Sequence, residues 1–177
     1  MKVFISGPPG VGKTTVFMRV VDMIRGEGFT VGGFICPEVR DRGRRVGFEI
    51  VDLMDGSRGW LARLCGDLEE EPRVGRYCVD VEATASIGVK AVEKAISSAD
   101  LIAVDEVGPM ELAVPPLKTS ILKVLSGDKP LMAVIHWRLK SELLRLVRGR
   151  WELMEITQLN RSHIHRDIYS KIRITLY

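Results

Sequence analysis

The sequence predicts an α/β fold in which a mostly parallel β-sheet is covered by helices on both faces. Short apolar runs of strand length alternate along the chain with segments whose apolar residues recur every three or four positions. A glycine-rich loop follows the first run, and an acidic pair follows a later one. Such alternation implies right-handed βαβ crossovers, so ligands are expected beyond the carboxyl ends of the strands.

Composition fits a single globular domain that spans residues 1–177. Apolar residues make up 46% of the chain and charged residues 28%, which is ordinary for a folded protein. A net charge of +3 does not by itself indicate nucleic acid as a partner. No apolar run reaches the roughly 18–20 residues that span a bilayer, so no membrane segment is predicted.

Two features of composition predict the cellular compartment and the source of the protein. Cys36, Cys65 and Cys78 form no C-x-x-C pair, so we expect free thiols in a reducing cytoplasm rather than a disulfide or zinc site. The chain has a single Asn, Asn160, and a single Gln, Gln158, and this depletion of heat-labile amides indicates a thermophilic source. No long heptad pattern is present, so we expect a monomer.

The predicted strands are apolar or alternating runs bounded by turn residues. They cover Val3–Ser6, Val31–Cys36, Arg45–Leu53, Tyr77–Val81, Leu101–Val104, Leu131–Ile135 and Trp151–Ile156. The arginine-rich stretch Arg40–Arg45, centred on Gly43, predicts the tip of an inserted β-hairpin.

The predicted helices show helical spacing of apolar residues between start and stop signals. The first is stopped by Gly26 and Gly28, and the third begins with Pro115, a residue tolerated in a first turn. The predicted helices cover Thr14–Arg25, Ala83–Ser97, Pro115–Leu125, Leu139–Val147 and Ser162–Ile172.

The loop after the first strand matches G-x-x-x-x-G-K-[ST], and it lies between a strand and a helix. The loop consists of Gly7, Pro8, Pro9, Gly10, Val11, Gly12, Lys13 and Thr14. In this pattern successive backbone N–H groups surround a phosphate, and the positive end of the helix dipole adds to the attraction. Lys13 is predicted to reach the β- and γ-oxygens, the Thr14 hydroxyl to bind Mg²⁺, and Thr15 to reach the α-phosphate.

An acidic pair follows the buried run Leu101–Val104. Asp105 is placed to hold the hydration shell of Mg²⁺ together with Thr14. Glu106, one residue further, is placed to orient or deprotonate a water that attacks the γ-phosphate. The alternative for Glu106 is a structural ion pair with an arginine at the edge of the sheet.

Further motifs resemble the thermophile nucleoside-triphosphatase family, P-loop proteins with a human relative called cancer-related nucleoside-triphosphatase. The similar stretches are Gly32-Gly33-Phe34, Glu38-Val39-Arg40, Gly47-Phe48, Gly75-Arg76-Tyr77, Val79-Asp80-Val81, Asp105 to Leu112 (D-E-V-G-P-M-E-L) and Asn160-Arg161. The resemblance covers nearly the whole chain in order. It implies a RecA-like three-layer αβα core and slow, Mg²⁺-dependent hydrolysis of several nucleoside triphosphates.

Three further residues carry weaker predictions. Arg40 belongs to the resemblance and is our candidate for an arginine that neutralises charge near the γ-phosphate; otherwise it belongs to a solvated hairpin. Asn160 and Arg161 follow the last strand, where they are placed to contact the base through its edge and its face. For Asn160 the alternative is a turn or helix-cap role.

The leading function is therefore hydrolysis of nucleoside triphosphates with little selectivity for the base. A guanine-reading [NT]-K-x-D motif is absent, because Asn160 is followed by Arg161 and no carboxylate stands at the fourth position. The alternative is a small kinase that transfers the γ-phosphate to a nucleotide or nucleic-acid hydroxyl. A nucleotide-driven switch is a third, non-enzymatic class.

Overall fold

The computed structural model describes residues 1–66 and 72–177. The strands are β1 (Lys2–Ser6), β2 (Val31–Ile35), β3 (Glu38–Asp41), β4 (Arg44–Asp52), β5 (Arg58–Leu64), β6 (Arg73–Val74), β7 (Tyr77–Val79), β8 (Leu101–Val107), β9 (Leu131–Ile135) and β10 (Trp151–Glu155). The helices are α1 (Lys13–Gly26), α2 (Val81–Thr84), α3 (Lys90–Ser98), α4 (Pro109–Leu112), α5 (Pro115–Ser126), α6 (Lys140–Leu144) and α7 (Ile164–Arg173), with a π-helical turn at Ala85–Val89 between α2 and α3.

The described strands form one sheet in the order β10-β1-β9-β8-β2-β4-β5-β7-β6, with β3 paired to β4. The pairs from β10 to β2 are parallel, and those from β2 to β6 are antiparallel. We call the first set the parallel half and the strands β3 to β7 the antiparallel extension. Strand β9 lies between β1 and β8, so the glycine-rich loop and the acidic pair end two strands that are not neighbours.

Helices cover both faces of the parallel half. Successive side chains of a strand point to opposite faces, so a strand made of apolar residues has two faces to bury. On one face Val3 and Ile5 of β1 pack with α1 and α7, through residues such as Phe17 and Ile168. On the other face Phe4 belongs to the cluster formed by α3 and α5. The αβα architecture with a parallel sheet predicted from sequence is thus confirmed in the parallel half.

The antiparallel extension is larger than the single inserted hairpin that the sequence predicts. The hairpin tip is confirmed, since Arg42 and Gly43 both have positive φ (47° and 79°) and connect β3 to β4. Strand β5 was not predicted, because only Leu61 and Ala62 of its seven residues are buried and the apolar pattern is correspondingly weak. Helix α6 is shorter than predicted, with Leu143 as its buried residue.

The expectation of free cysteines is wrong for two of the three. Cys65 and Cys78 form a disulfide with a Cα–Cα distance of 5.1 Å, and Cys36 is the free thiol. The two half-cystines meet because β5 pairs with β7, where Arg63 lies opposite Cys78. That pairing could not be derived from cysteine spacing, because it depends on which strands are neighbours in the sheet.

None of the described helices is long and apolar enough to cross a membrane.

Candidate active site

The glycine-rich loop connects β1 directly to α1. Gly7 has φ +156°, and a Cβ there would lie 2.7 Å from the carbonyl oxygen of Ile156, so only glycine fits at this close approach. Val11 is buried, and its N–H donates to the carbonyl of Pro8 at 3.3 Å. Gly12 adopts the left-handed region with φ +104° where α1 begins. The loop therefore has the strand–turn–helix context that phosphate binding requires.

Lys13 closes over the loop at the start of α1. Its Nζ donates hydrogen bonds to the carbonyl oxygens of Gly7 and Pro8 at 3.1 and 3.2 Å. These acceptors are neutral and part of the same loop, so phosphate oxygens would be stronger partners for the ammonium group. The side chain is thus held at the mouth of the loop, where the phosphates of a nucleotide would lie.

Asp105 lies near the carboxyl end of β8 and is 4% exposed. Burial raises the pKa of its carboxyl to about 6, against the opposing effects of a Thr14 hydrogen bond and the Lys13 charge. The Thr14 hydroxyl and the Asp105 carboxyl therefore meet across the site although they lie on α1 and β8. This contact brings together the two residues predicted to bind a metal.

Glu106 is partly buried and lines the same cavity as Lys13 and Thr14. Burial, and next the charge of Asp105, raise the pKa of Glu106 to about 7, while Lys13 opposes the rise. A carboxyl with a pKa near neutrality is suited to accept and release a proton. No ion pair between Glu106 and an arginine is found in the described part of the chain, so the structural alternative gains no support.

Glu111 is a third acidic residue of the site, and sequence reasoning gave it no role. It is 4% exposed, and its Oε2 accepts a hydrogen bond from the Gly108 N–H at 3.0 Å. Burial raises the pKa of Glu111 to about 8, and the charge of Glu106 adds to the rise. A Cβ on Gly108 would lie 2.9 Å from Glu111 Oε2 and 3.1 Å from Glu106 Oε1, so glycine lets both carboxyls approach the turn.

The signal for Glu111 was present in the D-E-V-G-P-M-E-L stretch, where it is the third acid. Its burial could not be predicted, because the short helix α4 (Pro109–Leu112) was not. The Cys36 thiol, whose pKa is raised by its own burial, hydrogen-bonds to Glu111 from the other side. The free cysteine is therefore part of the packing beneath the acidic residues.

The antiparallel extension closes the other side of the site. Glu38, Arg40 and Arg45 on the β3–β4 hairpin line the same cavity as Lys13. Arg40 was predicted to lie near the γ-phosphate, and the hairpin does bring it to the site. The sequence favours Arg40 over the other arginines of the hairpin, and in the structure Arg45 lines the cavity as well.

The cavity between these walls has a volume of about 650 Å³, which is the size of a small-molecule site. Its polar lining comes from the loop, the acidic residues and the arginines. Phe48, Leu61 and Val74 supply an apolar end on the antiparallel extension. His136, which follows β9 and so lies between the loop and the acidic pair, also contributes to the lining.

Asn160 and Arg161 lie beyond β10, outside the set of described residues that line this cavity. Asn160 Oδ1 accepts a hydrogen bond from the Thr157 N–H at 2.8 Å, and Nδ2 donates to the Glu155 carbonyl at 2.9 Å. These contacts are those of a residue that stabilises a turn, which favours the alternative stated for Asn160. Arg161 is exposed in the same loop.

Together the fold and the cavity define a phosphate-loop nucleotide-binding protein of the αβα class. A sequence model of the family described as NTPase matches residues 2–169, so the chain belongs to this family of nucleoside-triphosphatases. The resemblance noted from the motifs is thereby confirmed.

Individual relatives agree with the family. The nucleoside-triphosphatase THEP1 of Ignicoccus hospitalis is 44% identical over 92% of this chain and 91% of its own length. The enzyme of the same name from Pyrococcus abyssi is 39% identical over 99% and 94%.

Two solved structures have the same fold. The crystal structure of THEP1 from the hyperthermophile Aquifex aeolicus superposes with a TM-score of 0.81 at 29% identity, covering 97% of this chain and 99% of the other. The solution structure of a human cancer-related nucleoside triphosphatase gives 0.81 at 31% identity, covering 98% and 97%.

Proposed function

We propose that the protein hydrolyses ATP, GTP and other nucleoside triphosphates to diphosphate and phosphate, with Mg²⁺ and with little selectivity for the base. The observation that carries the proposal is the position of Glu106, which lines the cavity together with Asp105 and Lys13. Its pKa of about 7 suits a group that takes a proton from water and later returns it.

The residues present fit a magnesium ion. Thr14 and Asp105 meet in the structure, and both offer oxygen, the ligand type that Mg²⁺ prefers. Within residues 1–66 and 72–177 no group of three or more His, Cys, Asp and Glu is arranged to hold a metal. An ion bound by these two protein oxygens would keep waters and substrate phosphates as its other ligands, as Mg²⁺ does in such sites.

Each residue of the phosphate loop has a role in this proposal. The backbone N–H groups of residues 7–14 surround the β-phosphate, and Lys13 exchanges its loop carbonyls for β- and γ-oxygens. Thr15 reaches the α-phosphate, and Thr14 and Asp105 hold the metal, which when bound neutralises charge on the phosphates. Glu106 orients the attacking water, and Arg40 neutralises charge that develops on the γ-phosphate.

Low base selectivity follows from the loop after β10. Arg161 is exposed and can stack on the face of any base. Asn160 holds the loop through its hydrogen bonds with Thr157 and Glu155, which leaves little of its amide to read a base edge. Contacts of this kind do not distinguish one base from another.

A phosphate-release assay with ATP, GTP, CTP and UTP tests the proposal, with and without Mg²⁺ and with and without RNA. We expect release from all four nucleotides, dependence on Mg²⁺, and kcat/KM values within about one order of magnitude, because base contacts discriminate weakly. A preference for GTP over ATP in the hundreds would contradict the low selectivity.

A phosphotransferase is the second candidate, and one observation favours it. Beyond the acidic pair the cavity continues to an apolar end lined by Phe48, Leu61 and Val74, next to Arg40 and Arg45. Water as the acceptor does not need that space. Incubation with γ-labelled ATP and nucleotide or nucleic-acid acceptors separates the two functions, because a kinase leaves the label on the acceptor and a hydrolase releases it as phosphate.

A further inference from the structure

The two arginines of the cavity lie directly opposite each other on the β3–β4 hairpin. The antiparallel register pairs Arg40 with Arg45, and it pairs Glu38 with Phe48. Like charges directly opposite on neighbouring strands repel each other. A negative group beside the two guanidinium groups offsets this repulsion.

Glu38 supplies that group through both of its carboxylate oxygens. Arg45 Nε donates to Oε2 at 2.5 Å, and its terminal nitrogen contacts the same oxygen. Arg40 contacts Oε1 with one terminal nitrogen and donates to the Gly43 carbonyl at 2.8 Å with the other. The Arg45 guanidinium also lies over the Phe48 ring, 5.4 Å from its centre, which fixes its plane.

The hairpin is tied to the acidic side of the site. The N–H of Cys36, two residues before Glu38, donates to the carbonyl of Asp105 at 2.6 Å. The Glu38–arginine cluster thus enters the cavity just beyond the strand end that carries Asp105 and Glu106. In the proposed function this is the side on which the terminal phosphate and the attacking water would lie.

We propose that Glu38 acts as an internal counter-ion, which binds Arg40 and Arg45 in the nucleotide-free protein and releases them to the terminal phosphate of a bound triphosphate. Arg45 then contacts the γ-phosphate beside Arg40, and Glu38 is a positioning residue that acts through both arginines. The exchange makes binding selective for triphosphates over diphosphates. This inference rests on the proposed function of the same cavity.

The charges make the exchange favourable only for a triphosphate. A terminal phosphate carries more negative charge than a carboxylate and offers three oxygens in the geometry that guanidinium groups bind in pairs. A diphosphate held by the loop has no group at that position, so the arginines stay on Glu38. The Glu38 side chain is 28% exposed, so water can solvate its carboxylate once the arginines leave.

Arg44 offers a matched control within the same hairpin. It is adjacent to Arg45 in sequence and is exposed. In the β3–β4 strand register it lies opposite Asp41, near the tip of the hairpin. It lies outside the described residues that line the cavity. Replacement of Arg44 removes the same charge from the same hairpin without removing a group from the cavity wall.

The experiment measures affinity by calorimetry for ADP and for the β,γ-imido analogue of ATP, each with Mg²⁺. The proteins are the full-length wild type, R45M, R44M, E38Q and the double variant E38Q/R45M, and a thermal melt checks that each is folded. In R45M we expect affinity for the triphosphate analogue to fall by about 10-fold or more, with ADP affinity nearly unchanged, because one charge-assisted contact is lost. R44M should match the wild type with both ligands.

E38Q separates the counter-ion role from a merely structural one. Removal of the competing carboxylate should tighten binding of the triphosphate analogue by several-fold, lower KM, and leave ADP affinity nearly unchanged. In E38Q/R45M most of that gain should disappear, because the two residues act through one contact. A structural role alone predicts weaker binding of both ligands in E38Q.

Two outcomes overturn the inference. One is that the affinity for the triphosphate analogue divided by the affinity for ADP is the same in R45M as in R44M. The other is unchanged or weaker triphosphate binding in folded E38Q. If the wild type binds neither ligand and releases no phosphate from any nucleotide, the proposed function itself has failed, which is a different result from a hydrolase whose R45M variant behaves normally.

Discussion

The parallel half and the antiparallel extension contribute to the site in different ways. From the parallel half come the phosphate loop after β1 and the acidic pair at the end of β8, both contiguous stretches of sequence at strand ends. The antiparallel extension contributes single residues, Glu38, Arg40 and Arg45, whose places depend on strand pairing. The binding chemistry is therefore encoded locally, whereas the wall that faces it is encoded by long-range pairing.

The largest effect is expected in the parallel half, at Lys13. Lys13→Ala removes the ammonium group that the loop holds at its mouth, so turnover should be abolished and nucleotide affinity should fall. Phosphate release and calorimetry with the β,γ-imido analogue of ATP measure both quantities. Lys118→Ala, at an exposed lysine of α5, is the control and should behave as the wild type.

Glu106→Gln should separate binding from chemistry. The amide keeps the size of the side chain but cannot accept a proton, so kcat should fall by ~10²-fold or more with nucleotide affinity preserved. If the protein is instead a nucleotide-driven switch, the Glu106→Gln variant should lose turnover and still bind its partner. Near-normal kcat in this variant, with Glu142→Gln on α6 as control, would place the base on another residue.

The turn that leads from β8 into α4 carries Glu111 and lies between the parallel half and the antiparallel extension. Substitution of Glu111 tests how this turn is held in place. With a pKa of about 8 the Glu111 carboxyl is protonated at neutral pH, so Glu111→Gln should be tolerated there. Glu111→Ala leaves the buried Gly108 N–H without its acceptor and should cost about 1–3 kcal/mol in free energy of unfolding.

The pH dependence of stability follows from the same pKa. A carboxyl whose pKa is raised in the folded state favours folding less as pH rises, from the unfolded value near 4.5 until it ionises near 8. The wild type should therefore lose stability across this range relative to Glu111→Gln, which carries no titrating group. Chemical denaturation at pH 6 and pH 9 measures the free energy of unfolding of both proteins. If that free energy changes equally with pH in the wild type and in Glu111→Gln, Glu111 is already ionised at neutral pH.

Sequence reasoning predicted the parallel half almost element by element, because its strands are buried runs and its functional residues follow them directly. The loop from Gly7 to Thr14 and the pair Asp105–Glu106 were identified by pattern. In the antiparallel extension, β5 has few buried residues and arginines at Arg58 and Arg63, which hides its strand character. Without β5 neither the Cys65–Cys78 disulfide nor the apolar end of the cavity could be anticipated.

The disulfide provides a test confined to the antiparallel extension. Cys65 and Cys78 are 13 residues apart, and closing a loop of that length stabilises a fold by about 2–3 kcal/mol in the chain-entropy description. Cys78→Ser should lower the free energy of unfolding by that amount, and a reductant should do the same to the wild type. A reductant that changes the wild type but not Cys78→Ser assigns the effect to this bond.

The smallest effect is expected far from the cavity, where Glu27 connects α1 to the end of the chain. Arg173 Nε donates to both Glu27 oxygens at 2.9 Å, and the hydroxyls of Tyr169 and Tyr177 also donate to this carboxylate. The hydrogen bond from Tyr169, followed by those from Arg173 and Tyr177, lowers the pKa of Glu27. The stabilisation of the fold by ionised Glu27 is thus present at neutral pH. It is lost as the pH falls through the lowered pKa that Glu27 has in the folded protein.

Glu27→Gln should therefore lower the melting temperature at pH 7 by no more than a few degrees, because exposed charge pairs contribute little. The difference from the wild type should shrink as the pH falls below the ordinary glutamate pKa of about 4.5. Kinetic constants should not change, because Glu27 lies at the C-terminal end of α1, Lys13 lies at its start, and Glu27 is outside the set of described residues that line the cavity. A pH-independent difference would mean that packing of α7 (Ile164–Arg173), rather than the charge of Glu27, holds the end of the chain in place.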